Sequence, residues 1–282
     1  MKRRSTATKI SYQGEPGAFS EQAARSFFGK RCVTVARESF REIFDDVSAG
    51  KSVYAMVPIE NSLHGSVPQN YDLLWKHRLF IVGELKLRIS MNLLALPGTK
   101  LKNLAAVYSH PQALGQCERF LTSLKGVEIN PFYDTAGAAK MIAMEGRSDA
   151  AAVASSQAAA DYGLAILRAG IENDHRNFTR FLVVAKKESH PRRRPKTSVI
   201  FATKNVPGAL FKCLSAFALR NINLLKIESR PLVGAPWEYL FYVDIEGDAR
   251  SEECVNALAH LRELTSSYRF LGSYETGNIV HP

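Results

Sequence analysis

Apolar positions along this chain fall into two periods. Short runs rich in β-branched residues at 10–13, 32–36, 54–58, 79–84, 106–109, 127–132, 150–154 and 180–185 predict strands. Between them, apolar residues recur at helical spacing over 21–28, 40–47, 112–124 and 135–145. Strands separated by helices predict a mainly parallel sheet covered by helices. Two features predict two such sheets. The β-like stretch from 79 to 96 is long enough to leave one lobe and enter another, and the pattern restarts near Ala106. The run at 180–185 is then placed to return to the first lobe. Two α/β lobes joined by crossing strands leave a cleft between them, a natural place for a small ligand.

The run Ser189-His190-Pro191-Arg192-Arg193-Arg194-Pro195 marks a boundary. Its two prolines oppose helix and central strand, and its three adjacent like charges repel one another. Beyond it, 197–203 reads as strand, 209–218 as helix after Pro207-Gly208, and 224–229 and 239–245 as strands flanking the turn-rich Gly234-Ala235-Pro236. An amphipathic helix at 252–264 and a strand at 268–274 complete a βαββαβ order. That order predicts a four-stranded antiparallel sheet with two helices on one face. The other face is expected to pack against a partner chain.

Composition narrows the field. The 282 residues allow two or three compact domains, and 46% hydrophobic with 23% charged residues is ordinary for a globular protein. The apolar run 91–96 stops at Pro97-Gly98, well short of the ~18 residues of a membrane span. A basic start without a following apolar segment reads as a frayed terminus, with the cytoplasm as the expected compartment. Cysteines at 32, 117, 213 and 254 form no Cys-x-x-Cys pair, and the histidines show no ligand spacing, so no metal site is expected. The net charge of +10 is concentrated: residues 1–9 and 186–196 carry nine of the ten charges. A basic tail and linker give only weak, salt-sensitive attraction to polyanions, which argues against a nucleic-acid binder.

Several polar motifs fall at the edges of these elements. Gly14-Glu15-Pro16-Gly17-Ala18-Phe19-Ser20 joins a strand to a helix. It is either a tight turn with Ser20 near a helix start or a cradle of backbone N–H groups for an anion. It lacks the Gly-Lys-Ser/Thr ending of a nucleotide P-loop. Asp134-Thr135-Ala136-Gly137 precedes another helix, where Asp134 or Thr135 can cap and the next N–H groups stay free for a carboxylate. Pro58-Ile59-Glu60-Asn61-Ser62 and Ser109-His110-Pro111-Gln112, with Gln116 one turn on, follow strands at the usual ligand edge. Thr179-Arg180-Phe181 follows the polar loop 173–178. Alternation places Thr179 and Phe181 on one face and Arg180 on the other, so all three can touch one substrate only across a local bend.

Each motif is short, but their order is specific. Together with Tyr12-Gln13 before the first, they resemble prephenate dehydratase over roughly residues 9–274. Pro207-Gly208-Ala209-Leu210 and Glu228-Ser229-Arg230-Pro231 resemble the effector-binding motifs of that family's ACT regulatory domain. The resemblance implies a two-lobed, periplasmic-binding-protein-like α/β catalytic domain over 1–188, with its second subdomain at roughly 86–178. It further implies a linker at 189–195 and a ferredoxin-like α+β ACT domain at 196–282.

The implied activity is that of a carbon–oxygen lyase converting prephenate to phenylpyruvate, carbon dioxide and water in phenylalanine biosynthesis. The likeness also implies feedback control by L-phenylalanine and assembly into homodimers or homotetramers. No cofactor, nucleic acid or membrane is implied. Carried over residue by residue, it assigns Thr179, Arg180, Phe181, Glu60, Asn61, Ser109 and Gln116 to catalysis, and Thr135, Ala136, Ser20 and Ser155 to substrate binding. It assigns Asn205, Gly208, Ala209, Leu210, Glu228, Ser229 and Arg230 to phenylalanine binding. In this scheme Thr179 hydrogen-bonds the leaving oxygen, Phe181 forms an apolar wall, and Arg180 grips the side-chain carboxylate. Arogenate dehydratase, with the same chemistry on an amino side chain, or an enzyme of dual specificity for both substrates, is the nearest alternative. A non-catalytic small-molecule sensor is the alternative of a different class.

Overall fold

The computed structural model describes residues 8–232, 234 and 237–281. The basic start of the chain up to Ala7, and Ala235-Pro236 of the expected turn, lie outside the described residues. The first lobe begins with β1 (Lys9–Gln13), α1 (Phe19–Phe28), β2 (Val33–Arg37) and α2 (Phe40–Ala49). It continues through β3 (Tyr54–Asn61), β4 (Gly65–Ser66), α3 (Pro68–Lys76) and β5 (Phe80–Arg88). The chain then crosses into a second lobe: β6 (Asn92–Ala95), β7 (Ala106–Ser109), α4 (Pro111–Gln116), α5 (Glu118–Thr122) and β8 (Glu128–Pro131). That lobe closes with α6 (Thr135–Glu145), β9 (Ala150–Ala154), α7 (Ser156–Tyr162) and β10 (Ala165–Arg168). Strand β11 (Phe178–Ala185) returns to the first sheet. The C-terminal unit is β12 (Pro195–Thr203), α8 (Ala209–Ala218), β13 (Leu224–Pro231), β14 (Tyr239–Glu246), α9 (Glu252–Leu264) and β15 (Ser267–Glu275), with β16 (Ile279–Val280) as a tail.

The first sheet runs β16-β5-β11-β3-β1-β2, with β4 paired to β3; the second runs β10-β6-β9-β7-β8. Neither is wholly parallel as the strand–helix alternation predicts. β1 is parallel to β2 and β3, but β11 is antiparallel to both β3 and β5. The reason is the crossing itself: β5 carries the chain out of the lobe and β11 brings it back alongside, so the two must oppose. In the second sheet β7 is parallel to β8 and β9, while β6, the incoming strand, is antiparallel to β9. The predicted helix over 112–124 is interrupted at Cys117, whose φ of −111° and ψ of 12° end α4 before α5 starts.

Local capping explains the elements that the sequence marks most sharply. Asp134 accepts the backbone N–H of Gly137 at the start of α6, and Gly146 in the left-handed region ends it. At α2 the Ser39 hydroxyl accepts from Glu42 N, while the Glu42 carboxylate accepts from Ser39 N.

The C-terminal sheet has the order β13-β14-β12-β15, all antiparallel. One face packs under α8 and α9 through Phe201, Val243, Phe217 and Leu261. The other face is covered by this same chain rather than left for a partner. Ile200, Tyr242, Leu271 and Tyr274 share a buried cluster with Phe44, Tyr71, Ile81, Leu182 and Val184 of the first lobe. β12 and β14 accordingly read as nearly continuous buried runs, the pattern of strands covered on both faces. The back of β11 thus lies against the C-terminal unit while its front faces the interlobe cleft.

Candidate active site

The site is built where β3 ends and β11 begins. Thr179 pairs with Asn61, Arg180 with Glu60, and Phe181 with Pro58, leaving Ile59 without a partner on β11. This is a one-residue bulge, which re-aims the side chains that follow it. On β11 the alternation is regular: Thr179 and Phe181 line the cleft, and Leu182 enters the core behind. On β3 the extra residue breaks the alternation. Ile59 joins the core behind the sheet, Glu60 follows it on the same side, and both Pro58 and Asn61 reach the cleft. The bulge is what sets Asn61 beside Thr179.

A directed chain of hydrogen bonds follows. The Asn61 Oδ1 accepts the backbone N–H groups of Leu63 and His64, at 2.9 and 3.1 Å. Its amide nitrogen therefore faces the other way, donating to Thr179 Oγ1 at 3.0 Å and to Asn177 Oδ1 at 2.7 Å. Asn177 Nδ2 donates to Gln116 Oε1 at 3.0 Å. Gln116 Nε2 lies 2.9 Å from His64 Nε2; an amide nitrogen only donates, so the imidazole accepts. Thr179 oxygen receives a hydrogen bond in this chain, which leaves its own proton available to a ligand.

The cleft encloses about 430 Å³. Phe181, Ile89, Met91 and Val67 give it apolar wall, and its polar lining includes Ser20, Thr135, His64 and His110. No lysine or arginine lines it among the described residues, and Asp134 is its one charged side chain. Positive potential comes instead from helix starts. α1 has no side-chain cap at Ala18, and α6 spends its Gly137 N–H and part of its Ala136 N–H on Asp134, so among the described residues the first N–H groups of α1 and that of Thr135 in α6 remain free beside the positive ends of the dipoles. Such an arrangement accepts carboxylates without salt bridges. Burial pushes the Asp134 carboxyl above the usual range, against the downward pull of the Gly137 and Ala136 N–H groups.

The Gly14–Ser20 turn serves this geometry indirectly. Gly14 N–H binds Arg37 O, Ala18 N–H binds Glu15 O, and Gly17 N–H binds the buried Glu21 carboxylate at 2.7 Å. Those three donors are occupied within the protein and are not offered to an anion. Gly17 instead permits contact between lobes: its φ is +87°, and a Cβ there would lie 2.7 Å from Ala158 Cα.

Not all the residues singled out from the sequence meet in the cleft. Thr179, Phe181, Asn61, Gln116, Thr135 and Ser20 do. Ala136 is buried one residue inside α6. Ser109 is buried and donates to Val153 O at 2.6 Å, tying β7 to β9. Ser155 caps α7 and donates to Gly17 O at 2.5 Å, holding the seam between the lobes.

Glu60 and Arg180 lie on the opposite face of the sheet, against the C-terminal unit. The bend between Arg180 and Phe181 that the alternation argument demands is present, but it falls on β3 and leaves Arg180 pointing backward. Its guanidinium lies 2.7 Å from Glu84, 2.7 Å from Asp244 and 3.4 Å from Glu60. It also donates to Tyr274 Oη, and Lys196 lies 2.8 Å from Glu84. Burial alone would raise the Glu84 carboxyl, yet Arg180 and Lys196 outweigh it and hold it below its usual value. Lys226 pairs with Glu60 from the C-terminal unit.

The residues assigned to an effector lie at one end of the C-terminal sheet, since Thr203 and Pro231 both pair with Tyr239. Gly208 starts α8 with φ 74°, followed by Ala209 and Leu210, and Asn205 precedes it in the loop. On β13, Glu228 approaches Lys226 at 3.7 Å and Arg230 pairs with Asp72 of α3 at 3.2 Å, while Ser229 is exposed. A larger hollow of about 730 Å³ beside Gly14, Glu15, Glu38 and Glu42 shares Asp134 with the cleft, but its carboxylates suit an anion poorly and the Arg37 guanidinium that also lines it already pairs with Asp46. Sequence reasoning passed over Asn177 and His64. Asn177 was detectable: alternation carried one step back from Thr179 puts it on the same face. His64 offered no signal, because its partner comes from the other lobe.

Comparison with known proteins finds relatives along nearly the whole chain. Residues 10–189 match the model of the family described as prephenate dehydratase. The chain is 48% identical over 277 residues to arogenate dehydratase/prephenate dehydratase 2, chloroplastic, of Arabidopsis thaliana, covering 94% of this chain and 72% of that one. A prephenate dehydratase from Arthrobacter aurescens, solved in complex with L-Phe, superposes with a TM-score of 0.87 at 30% identity, covering 95% of this chain and 90% of that one. A structure described as GqqA, a novel type of quorum quenching acylase, gives 0.88 at 34% identity, covering 95% and 98%.

Proposed function

This chain belongs to the prephenate dehydratase family, and from that premise we propose that it dehydrates and decarboxylates prephenate or arogenate in the interlobe cleft. The observation that carries the proposal is the Thr179 hydroxyl, which accepts from Asn61 and keeps its proton for a ligand, beside the wall formed by Phe181.

In the reaction the ring carboxylate leaves as carbon dioxide. Its bonding electrons pass through the diene to make the aromatic ring and expel the ring hydroxyl, which takes up one proton and departs as water. An aliphatic hydroxyl is a weak acid, so Thr179 donates a hydrogen bond to the departing oxygen or relays a proton to it. Free N–H groups at the starts of α1 and α6 suit the side-chain carboxylate, which keeps its charge throughout. With no lysine or arginine lining the cleft among the described residues, the departing carboxylate is not pinned in its charged ground state, and tight pairing there would slow its loss. Asn61 presents Thr179 with a donor rather than a base, which favours this role over nucleophilic attack on an amide.

Regulation by phenylalanine is part of the same reading. Support comes from the L-Phe complex of the Arthrobacter protein and from the placement of Asn205, Gly208 and Ser229 at one end of the C-terminal sheet. Exposed Phe211, Leu219 and Val255 on the outer helices, with Ile227 on edge strand β13, favour assembly through this unit with a second copy.

Turnover measured with both substrates tests the activity. The expected result is saturable release of phenylpyruvate from prephenate or phenylalanine from arogenate, inhibited saturably by phenylalanine. Binding of prephenate without acceleration of its spontaneous decay would establish the sensor reading instead.

A further inference from the structure

Asn177 has no assigned part in the reaction, yet it is fully buried and joins polar side chains from both lobes. It lies in the segment that returns from the second lobe, one residue before β11. Its carbonyl accepts Ile89 N–H at 2.8 Å on the outgoing crossing, so its backbone is fixed where the two crossings meet. Its side chain then works in both directions: Oδ1 accepts from Asn61 at 2.7 Å and Nδ2 donates to Gln116 at 3.0 Å.

We infer that Asn177 is a positioning residue for the dehydration, acting through Asn61 on Thr179; the inference rests on the dehydratase reading. Asn61 Oδ1 is held by two backbone N–H groups, so its amide nitrogen must satisfy whatever faces it. Asn177 Oδ1 supplies one acceptor and Thr179 Oγ1 the other. Removing the first lets the amide turn about its side-chain torsions, and the hydrogen bond that orients the Thr179 hydroxyl loosens with it. Reaction rates are steep in such geometry, and a displacement near 1 Å can lower turnover roughly a hundredfold.

The test uses the full chain and whichever of the two substrates the wild type turns over. Asn177→Ala should lower kcat about tenfold to a hundredfold while KM moves less than about threefold. In an Asn61→Ala background the same substitution should lower kcat by no more than about twofold, because the route to Thr179 is already cut. Asn177→Asp keeps the acceptor toward Asn61, gives up the N–H donor toward Gln116 and adds negative charge near an anion site. It should retain kcat within about threefold and raise KM instead. This variant also decides the matter if Asn177→Ala does not fold. Wild-type kcat in Asn177→Ala, losses that multiply in the double variant, or a kcat in Asn177→Asp as low as in Asn177→Ala would each overturn the inference. A wild type that turns over neither substrate would overturn the dehydratase reading itself, a separate outcome.

Discussion

Arg180→Met separates two physical accounts of this residue. In the structure its guanidinium is 6% exposed and lies between Glu84 and Asp244, whose side chains are fully buried. Substitution leaves Glu84 with Lys196 and the N–H of Gly277, but among the described residues Asp244 keeps only the Ser198 hydroxyl as a hydrogen-bond partner, with Lys196 beyond ion-pair distance. Breaking a buried ion pair by removing one partner typically costs about 3–5 kcal/mol, because the other charge stays buried without compensation. Against total stabilities of about 5–15 kcal/mol this is a severe loss. In urea titration followed by circular dichroism it should lower the midpoint by more than about 1 M. Asp244→Asn in the same chain removes the orphaned charge and should recover more than about half of the loss. At a temperature where the variant is folded, KM should stay within about threefold of wild type, since the guanidinium is on the far side of the sheet from the cleft. A variant of normal stability whose KM rises tenfold or more would refute the argument and put Arg180 on the substrate.

Three further outcomes follow from the same geometry. Thr179→Ala should lower kcat by roughly a hundredfold to a thousandfold with little change in KM, and near-normal turnover would remove Thr179 from the chemistry. Glu84 has its folded-state pKa held below the ordinary value near 4.3, so its contribution to stability is complete above that value and is lost as pH falls through the lower one. Urea midpoints measured from pH 7 to pH 3 should therefore fall more steeply for wild type than for Glu84→Gln; parallel curves would contradict this. Gly17→Ala forces a Cβ to within 2.7 Å of Ala158 Cα at a φ of +87°, and should destabilise by about 1–3 kcal/mol in thermal unfolding. An unchanged melting temperature would show that the lobe seam yields.

Much of this protein was settled by local sequence. The helix expected at 135–145 and the strand expected at 150–154 coincide with α6 and β9, because a capping Asp134, a terminal Gly146 and a short apolar run each act within a few residues. Alternation by itself parted Thr179 and Phe181 from Arg180, since successive side chains on a strand must oppose. The long β-like stretch at 79–96 likewise foretold the crossing from one sheet to the next.

Tertiary structure decided which groups those side chains meet. Asn61 reaches Thr179 only because β11 pairs with β3 across a bulge at Ile59, and nothing within the run Pro58–Asn61 marks that extra residue. Arg180 is turned toward Asp244, which lies 64 positions on in another sheet, so a residue that suited a substrate carboxylate by its chemistry is already neutralised by the protein. The second face of the C-terminal sheet, open on its own pattern, is covered by Ile81, Leu182 and Val184 of the first lobe. Periodicity is a property of neighbouring residues and can be read along the chain. Register, strand direction and the identity of a distant partner depend on which surfaces the folded chain brings together, and those determine whether a polar side chain faces the cleft or the core.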